Sequence, residues 1–543
     1  MGIKQRDKAE WVVGKVLAEQ AARRGEQPFV RIGDGPWLTY GEADAMANRA
    51  ANGFAGMGMA QGDHVGVMLP NSLDYVHTWF GLSRLGAVHV AINTAYKGVF
   101  LEHVLNNCGA QVMVIARDYL GWLHEIEARV PALQTVLVPG LAAGEDGLPA
   151  FQRIETRPFE SVLEAPADAP QIEVNHWDIG AIMYTSGTTG PSKGVLMPHA
   201  HLYMLGWGTV ENLSLSEQDL YYIAMPLFHA NAMLMQFYGT MQAGGSCVVA
   251  PAFSASGWLD DVRRSGATLT NLLGVMNEFV VRQPERPEDK DHKLRLILSI
   301  PSAPEVVTLW RERFGVQIVE AYGMTEVNIP LYHPPHREPV AGSCGLPYAP
   351  YYEVRVVNPT TDEELPPGEV GEIVVRPNEP YAFMQGYNAM QEKTVETWRN
   401  LWFHTGDAAR RDEQGYFYYM DRINDRIRRR GENISSYEIE QVIGAHPAVA
   451  DVAAIAVKSD IRGGEDEIKA CVVFKPQCQA TPEELLDLCQ KNMPYFSVPR
   501  YVEFYPILPK TPTEKIQKTK LREHGISPNT WDAEAAGYVV KRT

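Results

Sequence analysis

Between about residue 40 and residue 330 the chain alternates short β-branched runs with segments of helical period, and this alternation limits its fold more than any other feature. "HVGVML" (64–69) reads as a strand, and "NSLDYVHTWFGLSRLG" after it as a helix with Ser72 as N-cap and Gly86 just past its end. "AVHVAIN" and "QVMVIA" follow as strands, separated by the helical "VFLEHVLNN". The same beat returns at "YYIAMP", "SCVVAP", "LRLILS" and "VQIVEAY". Such an order predicts mainly parallel sheets covered by helices on both faces.

After residue 340 the texture changes. "YEVRVVN" and "GEVGEIVVRP", punctuated by Pro and Gly, predict antiparallel strands and a small β-barrel. From about 425 the chain restarts with helix "SSYEIEQVIGAH", strands "DVAAIAVK" and "IKACVVFK" and helix "PEELLDLCQKN", a small α+β domain. The expected fold class is therefore α/β. A large N-terminal domain (1–423) holds two parallel-rich α/β subdomains plus the small barrel, and a small α+β domain (424–543) follows, with the boundary in "MDRINDRIRRRG".

Charge and composition exclude several functions. A net charge of −17 argues against a general binder of nucleic acid or anionic membrane, since either needs a basic surface, but it leaves room for a local basic pocket. The six cysteines are scattered without a C-x-x-C pair, so neither a zinc site nor a disulfide framework is indicated. "MGIKQRDKAEW" has no apolar signal core, and no apolar run approaches the ~20 residues that span a bilayer. The expected location is the reducing cytoplasm.

The chemistry is concentrated after the strand "IGAIMY" (179–184), which runs into Thr185, Ser186, Gly187, Thr188, Thr189, Gly190, Pro191, Ser192, Lys193 and Gly194. Glycines let backbone N–H groups converge on an anion, hydroxyls add short donors, and the lysine adds a mobile cation suited to a polyphosphate. The spacing is not that of a Walker loop, because Lys193 lies between Ser192 and Gly194. "GMGMAQG" (56–62) precedes a strand rather than following one, which excludes a dinucleotide fingerprint. H-E-x-x-H does not occur, and the G-x-S-x-G spelled by Gly190-Pro191-Ser192-Lys193-Gly194 lies within this Gly/Ser/Thr loop rather than at a nucleophile elbow.

The loop resembles the phosphate-binding signature of the adenylate-forming (AMP-binding) enzymes, which include acyl-CoA synthetases, adenylation domains of peptide synthetases and firefly-type luciferases. Four more segments are similar to family motifs, in the family's order: "AYGMTE" (321–326), "WFHTGD" (402–407), "DRINDRIRRRGENISSYEIE" (421–440) and "LPKTPTEKIQK" (508–518). The wording of "RGENISSYEIE" and "TPTEK" is similar to crotonobetaine/carnitine–CoA ligase-like relatives.

The resemblance implies roles. Tyr322 would stack on adenine, with Gly323 and Met324 beside it and Ser302, Ala303 and Pro304 forming a wall of the slot. That wall departs from the family in reading Pro301-Ser302 where Gly-Gly is usual. Thr325 would donate to the α-phosphate, and Glu326 would ligate Mg²⁺, a hard cation that prefers carboxylate and phosphate oxygens. Asp407 would accept both ribose hydroxyls, and Arg422 would reach the ribose or α-phosphate. His229 in "MPLFHANAM" matches the family's gating aromatic, beside an acyl pocket that would include Asn231 and Asn328; a histidine next to Phe228 also fits a satisfied core residue.

In the C-terminal domain, which the family makes mobile, Asn424 occupies the hinge and Gly431 the position where a pantetheine arm passes close to backbone. Arg428, Arg429 and Arg430 would either meet CoA phosphates or form one solvated hairpin face. Lys515 matches the lysine that contacts the acyl carboxylate and α-phosphate, with Thr513 and Glu514 where Ser and Gly are usual.

The implied activity is an ATP- and Mg²⁺-dependent acid–thiol ligase making an acyl-adenylate and pyrophosphate, then acyl-CoA and AMP. Its partners would be a small carboxylic acid, ATP and CoA, with no nucleic acid and no membrane span; a homodimer stays open. Phe228-His229-Ala230-Asn231 lacks the Phe-Asp pair of amino-acid-activating domains, which ranks an amino-acid substrate lower. Two alternatives remain: an adenylating enzyme with another acceptor (an amide-forming ligase or a nitrite-activating diazotase), and a non-catalytic ATP-binding regulator.

Overall fold

The computed structural model describes all residues except 1–2, 143–148, 186–190, 301–303, 335–336, 341, 423–425, 431, 460–464, 511–515 and 543. Two large sheets dominate. In the first, strands Ile179–Thr185, Val88–Ala91, His64–Met68, Val112–Ile115, Thr135–Val138 and Glu155–Pro158 run parallel in that order. Lys193–Pro198 and Gly386–Tyr387 extend one edge antiparallel. In the second, Pro28–Ile32, Ser246–Val249, Leu220–Ile223, Leu269–Leu273, Leu296–Ile300 and Gln317–Met324 run parallel, and Asn328–Tyr332 turns back antiparallel.

Local chemistry explains the helices between them. Ser72 Oγ accepts from Tyr75 N at 3.2 Å to start Leu73–Leu85, and Gly86 ends that helix at φ 75°. The expected barrel is half of one: Tyr352–Val357, Val370–Pro377, Trp402–Arg411, Trp398–Arg399 and Phe417–Arg422 form a five-stranded antiparallel sheet.

The C-terminal part begins with the hairpin Arg426–Arg429 and Glu432–Ser435, followed by helix Ser436–Gly444. Its sheet holds Val449–Lys458, Asp466–Phe474, Tyr501–Phe504 and Trp531–Asp532. Period-two alternation gives that sheet two apolar faces. Val452, Ala454, Ile468 and Ala470 join Phe100 and the hairpin's Ile427 and Ile434 in one cluster, against which Tyr96 packs. Ala453, Ile455, Cys471 and Leu508 form the other, with Ile516 packed on it. The N-terminal part thus rests on the first face. At this seam Gly98 has φ 55°, and a Cβ there would stand 2.8 Å from the Asn492 carbonyl oxygen.

Arginines 428–430 do not share one solvated face. The strand's alternation turns Arg429 inward, 4% exposed, where it pairs with Glu467 at 2.7 Å and donates to the Val498 carbonyl at 2.6 Å.

Candidate active site

The hydroxyl-rich loop is the tip of a hairpin. Its flanking strands pair Thr185 with Lys193, while Ser186, Gly187, Thr188, Thr189 and Gly190 lie outside the described residues. Lys193 holds its ammonium 4.5 Å above the ring of Tyr387, and the Tyr387 hydroxyl donates to Glu326 Oε1 at 3.0 Å. Thr185 Oγ1 donates to the same oxygen at 3.2 Å. Glu326, 1% exposed, is therefore tied by Oε1 to Thr185 at the hairpin's root and to Tyr387, the ring beneath Lys193. Among the described residues no cluster of three or more His, Cys, Asp or Glu could hold a metal. A lone carboxylate fits a Mg²⁺ ion that keeps most of its ligands from phosphate and water.

The segment carrying Glu326 leaves the strand Gln317–Met324 through a bulge at Gly323, where a Cβ would stand 2.2 Å from the Asn328 carbonyl oxygen. Tyr322 lies on the strand just before this close turn, and Thr325 follows it in the chain. The Tyr322 hydroxyl donates to Asp407 Oδ2 at 2.7 Å, which brings the expected adenine and ribose residues together. Asp407 lies on Trp402–Arg411, in register with Arg422, and its N–H donates to Thr405 Oγ1 at 3.1 Å. Behind it, Glu372 accepts from Gly406 N at 2.9 Å and lies 2.9 Å from His404 Nδ1, so a buried carboxylate holds the turn that aims Asp407. Pro304 begins the helix Pro304–Leu309, while Ser302 and Ala303 lie outside the described residues.

At the far side His229 Nε2 lies 3.0 Å from Glu432 Oε1, and Asn93 Nδ2 donates to that oxygen at 3.4 Å. Burial pulls the imidazole pKa down, but the Glu432 carboxylate outweighs it and raises the value above the ordinary 6.5. A second contact joins the two parts of the chain. Ser192 N donates to Glu438 Oε1 at 3.0 Å, and His103 Nε2 donates to the Ser192 carbonyl at 2.7 Å.

Asn231 is partly exposed two residues beyond His229. Asn328 is placed elsewhere: it is 1% exposed at φ 65°, with Nδ2 donating to the Tyr352 hydroxyl at 2.8 Å and the Ala382 carbonyl at 2.7 Å. Its amide hydrogens are committed to Tyr352 and Ala382, leaving none to offer an acyl group. Asn424, Gly431 and Lys515 lie outside the described residues. Their neighbours are informative. Glu432 brings the hairpin to His229, whereas Ile516 packs on the C-terminal sheet's face away from Phe100.

Sequence reading missed Tyr387, Glu372, Asn93, Glu432 and Glu438. Glu432 and Glu438 stand inside the quoted hinge segment, where a carboxylate next to Gly431 was a usable signal; Tyr387 and Glu372 carried none.

Comparison with known proteins agrees with this geometry. Residues 17–388 match the family model described as AMP-binding enzyme, and residues 438–515 match AMP-binding enzyme C-terminal domain. The crotonobetaine/carnitine–CoA ligase of Salmonella arizonae is 30% identical over 493 residues, 89% of this chain and 93% of that protein. The anthranilate CoA ligase AuaEII in complex with anthranoyl-AMP superposes with a TM-score of 0.70 at 27% identity, covering 97% of this chain and 98% of that one. The amide bond synthetase McbA from Marinactinospora thermotolerans shares the fold, with a TM-score of 0.79 at 22% identity over 94% of this chain and 99% of that one. No helix among the described residues is long and apolar enough to cross a membrane. With the Thr185–Lys193 hairpin, Glu326, Tyr322 and Asp407 gathered at one site, the chain belongs to the AMP-binding enzyme family, the adenylate-forming acyl-CoA ligases.

Proposed function

We propose that this chain is an ATP-dependent carboxylic acid–CoA ligase working in two half-reactions. The observation that carries the proposal is the contact of Glu432 with His229, which sets the hairpin of the C-terminal part against the expected acyl mouth, while Ile516 packs on the other face of the C-terminal sheet. The relatives named as CoA ligases support a thiol acceptor. The McbA likeness keeps an amine acceptor as the second reading.

In the first half-reaction Tyr322 and Asp407 hold the nucleoside, while Lys193 and the hydroxyl loop hold the β- and γ-phosphates. Glu326 would hold Mg²⁺, which supplies charge neutralisation to the departing pyrophosphate. Lys515 orients the acid's carboxylate oxygen toward the α-phosphorus, and a cation there contributes about 10²–10³ in rate. The C-terminal domain then turns about Asn424. Lys515 withdraws, Glu432 meets His229, and the thiol attacks the acyl carbon as AMP leaves with the anhydride oxygen. The site binds and orients; the mixed anhydride makes the carboxylate electrophilic.

A screen of carboxylic acids with ATP, each with and without CoA, tests this. AMP release with a CoA thioester detected by mass supports it. ADP instead of AMP overturns it, and AMP release with a supplied amine converted to amide while CoA stays unacylated favours the second reading.

A further inference from the structure

Asn231 opens a π-helical segment, Asn231–Tyr238, directly after the expected gate. The rest of that segment is buried, whereas His229, Ala230 and Asn231 are a run of partly exposed residues. The Asn231 side-chain oxygen is held twice. Gln236 Nε2 donates to it at 3.0 Å and Asn271 Nδ2 at 2.8 Å, both from side chains that are 0% exposed.

These two donors are themselves oriented from behind. Gln236 Nε2 also lies 3.7 Å from the Met225 sulfur, which accepts but cannot donate, so the nitrogen and not the oxygen of Gln236 faces Asn231. The Tyr221 hydroxyl donates to Asn271 Oδ1, which turns the Asn271 nitrogen toward Asn231. With its oxygen drawn inward, Asn231 turns its amide nitrogen the opposite way. That nitrogen carries two N–H donors, and among the described residues neither has a hydrogen-bond partner.

We infer that Asn231 determines specificity for the acid by presenting its outward amide hydrogens to an acceptor oxygen on the acyl chain. The substrate class is an oxo-type or otherwise oxygen-bearing carboxylic acid rather than a plain alkyl acid. A hydrocarbon chain laid on those hydrogens would strip their water and return no acceptor, whereas an oxygen replaces it. A site built to bond a polar group rejects the analogue lacking it more strongly than an apolar pocket rejects an extra methylene. This inference rests on the reading of the site as acid-adenylating.

ATP–pyrophosphate exchange with matched acids tests it: 3-oxobutanoate against butanoate, 4-oxopentanoate against pentanoate, and 5-oxohexanoate against hexanoate. The expected result is that at least one oxo acid exceeds its alkyl partner by about tenfold or more in kcat/KM. Asn231→Asp then erases that preference, because it keeps an oxygen for Gln236 and Asn271 but replaces the outward donor with an acceptor. Asn231→Leu is a second route to the same loss. Exchange with every pair at equal rates overturns the inference and leaves the adenylation reading standing. A preference that survives in Asn231→Asp also overturns it. So does a lack of exchange with any oxo acid, and the AMP assay above then decides the adenylation reading separately.

Discussion

His229 Nε2 and Glu432 Oε1 lie 3.0 Å apart, one at the expected acyl mouth and one on the hairpin of the C-terminal part. Under the proposed alternation this pair forms only in the thiol-transfer arrangement. Glu432→Gln is therefore expected to slow thioester formation from a supplied acyl-adenylate by about tenfold, the value of one charge-assisted hydrogen bond. Pyrophosphate exchange should stay within about twofold, since that step uses the other orientation. Equal loss in both assays would count against the assignment. The Glu432 carboxylate raises the imidazole pKa against the opposing effect of burial, so the imidazolium's contribution to the contact is full below the ordinary histidine value and is lost as pH rises through the raised one. An NMR titration of His229 should show its pKa falling in Glu432→Gln.

The Glu438 carboxyl supplies a second pH dependence. Burial pushes its pKa up from 4.5 to about 7, with the Ser192 N–H acting in the opposite sense. A group that takes up a proton on docking favours the docked state at low pH. Docking through Ser192 is thus complete below about 4.5 and weakens as pH rises toward about 7. Small-angle scattering or a fluorescence pair across residues 95 and 492 should report this loosening, and Glu438→Gln should flatten it.

Under the proposed function the Tyr322–Asp407 bond contributes to nucleotide affinity. Tyr322→Phe keeps the ring and removes the 2.7 Å bond, so KM for ATP is expected to rise about fivefold. Asp407→Ala removes the acceptor itself, with an expected loss of about 100-fold or more in kcat/KM. If Asp407 bonds the ribose, 2′-deoxy-ATP should discriminate wild type from Asp407→Ala much less than ATP does.

Glu326→Gln keeps an oxygen for Thr185 and Tyr387 while removing the charge. The half-maximal magnesium concentration in pyrophosphate exchange should rise about tenfold, with thermal stability little changed. An unchanged magnesium titration would separate Glu326 from metal binding.

Lys515→Ala should abolish pyrophosphate exchange and leave conversion of a supplied acyl-adenylate to thioester. Equal loss of both half-reactions in a folded variant would contradict the use of two faces by one domain.

Much of the fold was legible because periodicity and caps act locally. The runs read as strands at 64, 88 and 112 occupy His64–Met68, Val88–Ala91 and Val112–Ile115, and the helix Pro482–Asn492 starts with a reciprocal Thr481–Glu484 capping box. The strand Lys193–Pro198 was hidden because its first residues read as the end of a loop. The π-helical turn after Asn231 gave no signal, since a helix buried all round has no polar face to mark its period. Motifs singled out Tyr322, Glu326 and Asp407, which the structure brings together, but not Tyr387 or Glu372 beside them, whose positions depend on pairing between distant strands. Asn328 was misplaced for a related reason: closeness in sequence to Glu326 does not say which way a tight turn aims the next side chain.

The seating of Phe100, 3% exposed among Ile427, Ile434 and Ile439, has an energetic consequence for how such an enzyme waits between turnovers. If the other arrangement of the proposed cycle leaves that ring in water, the loss is about 2 kcal/mol, a bias of about 30-fold toward the arrangement seen here. Nucleotide capture then proceeds against that weighting, and the apparent grip on ATP is weaker than the pocket alone would give by the same factor. Under the proposed cycle the idle molecule would already be set for the last step, and the first step would have to pull it out of that posture.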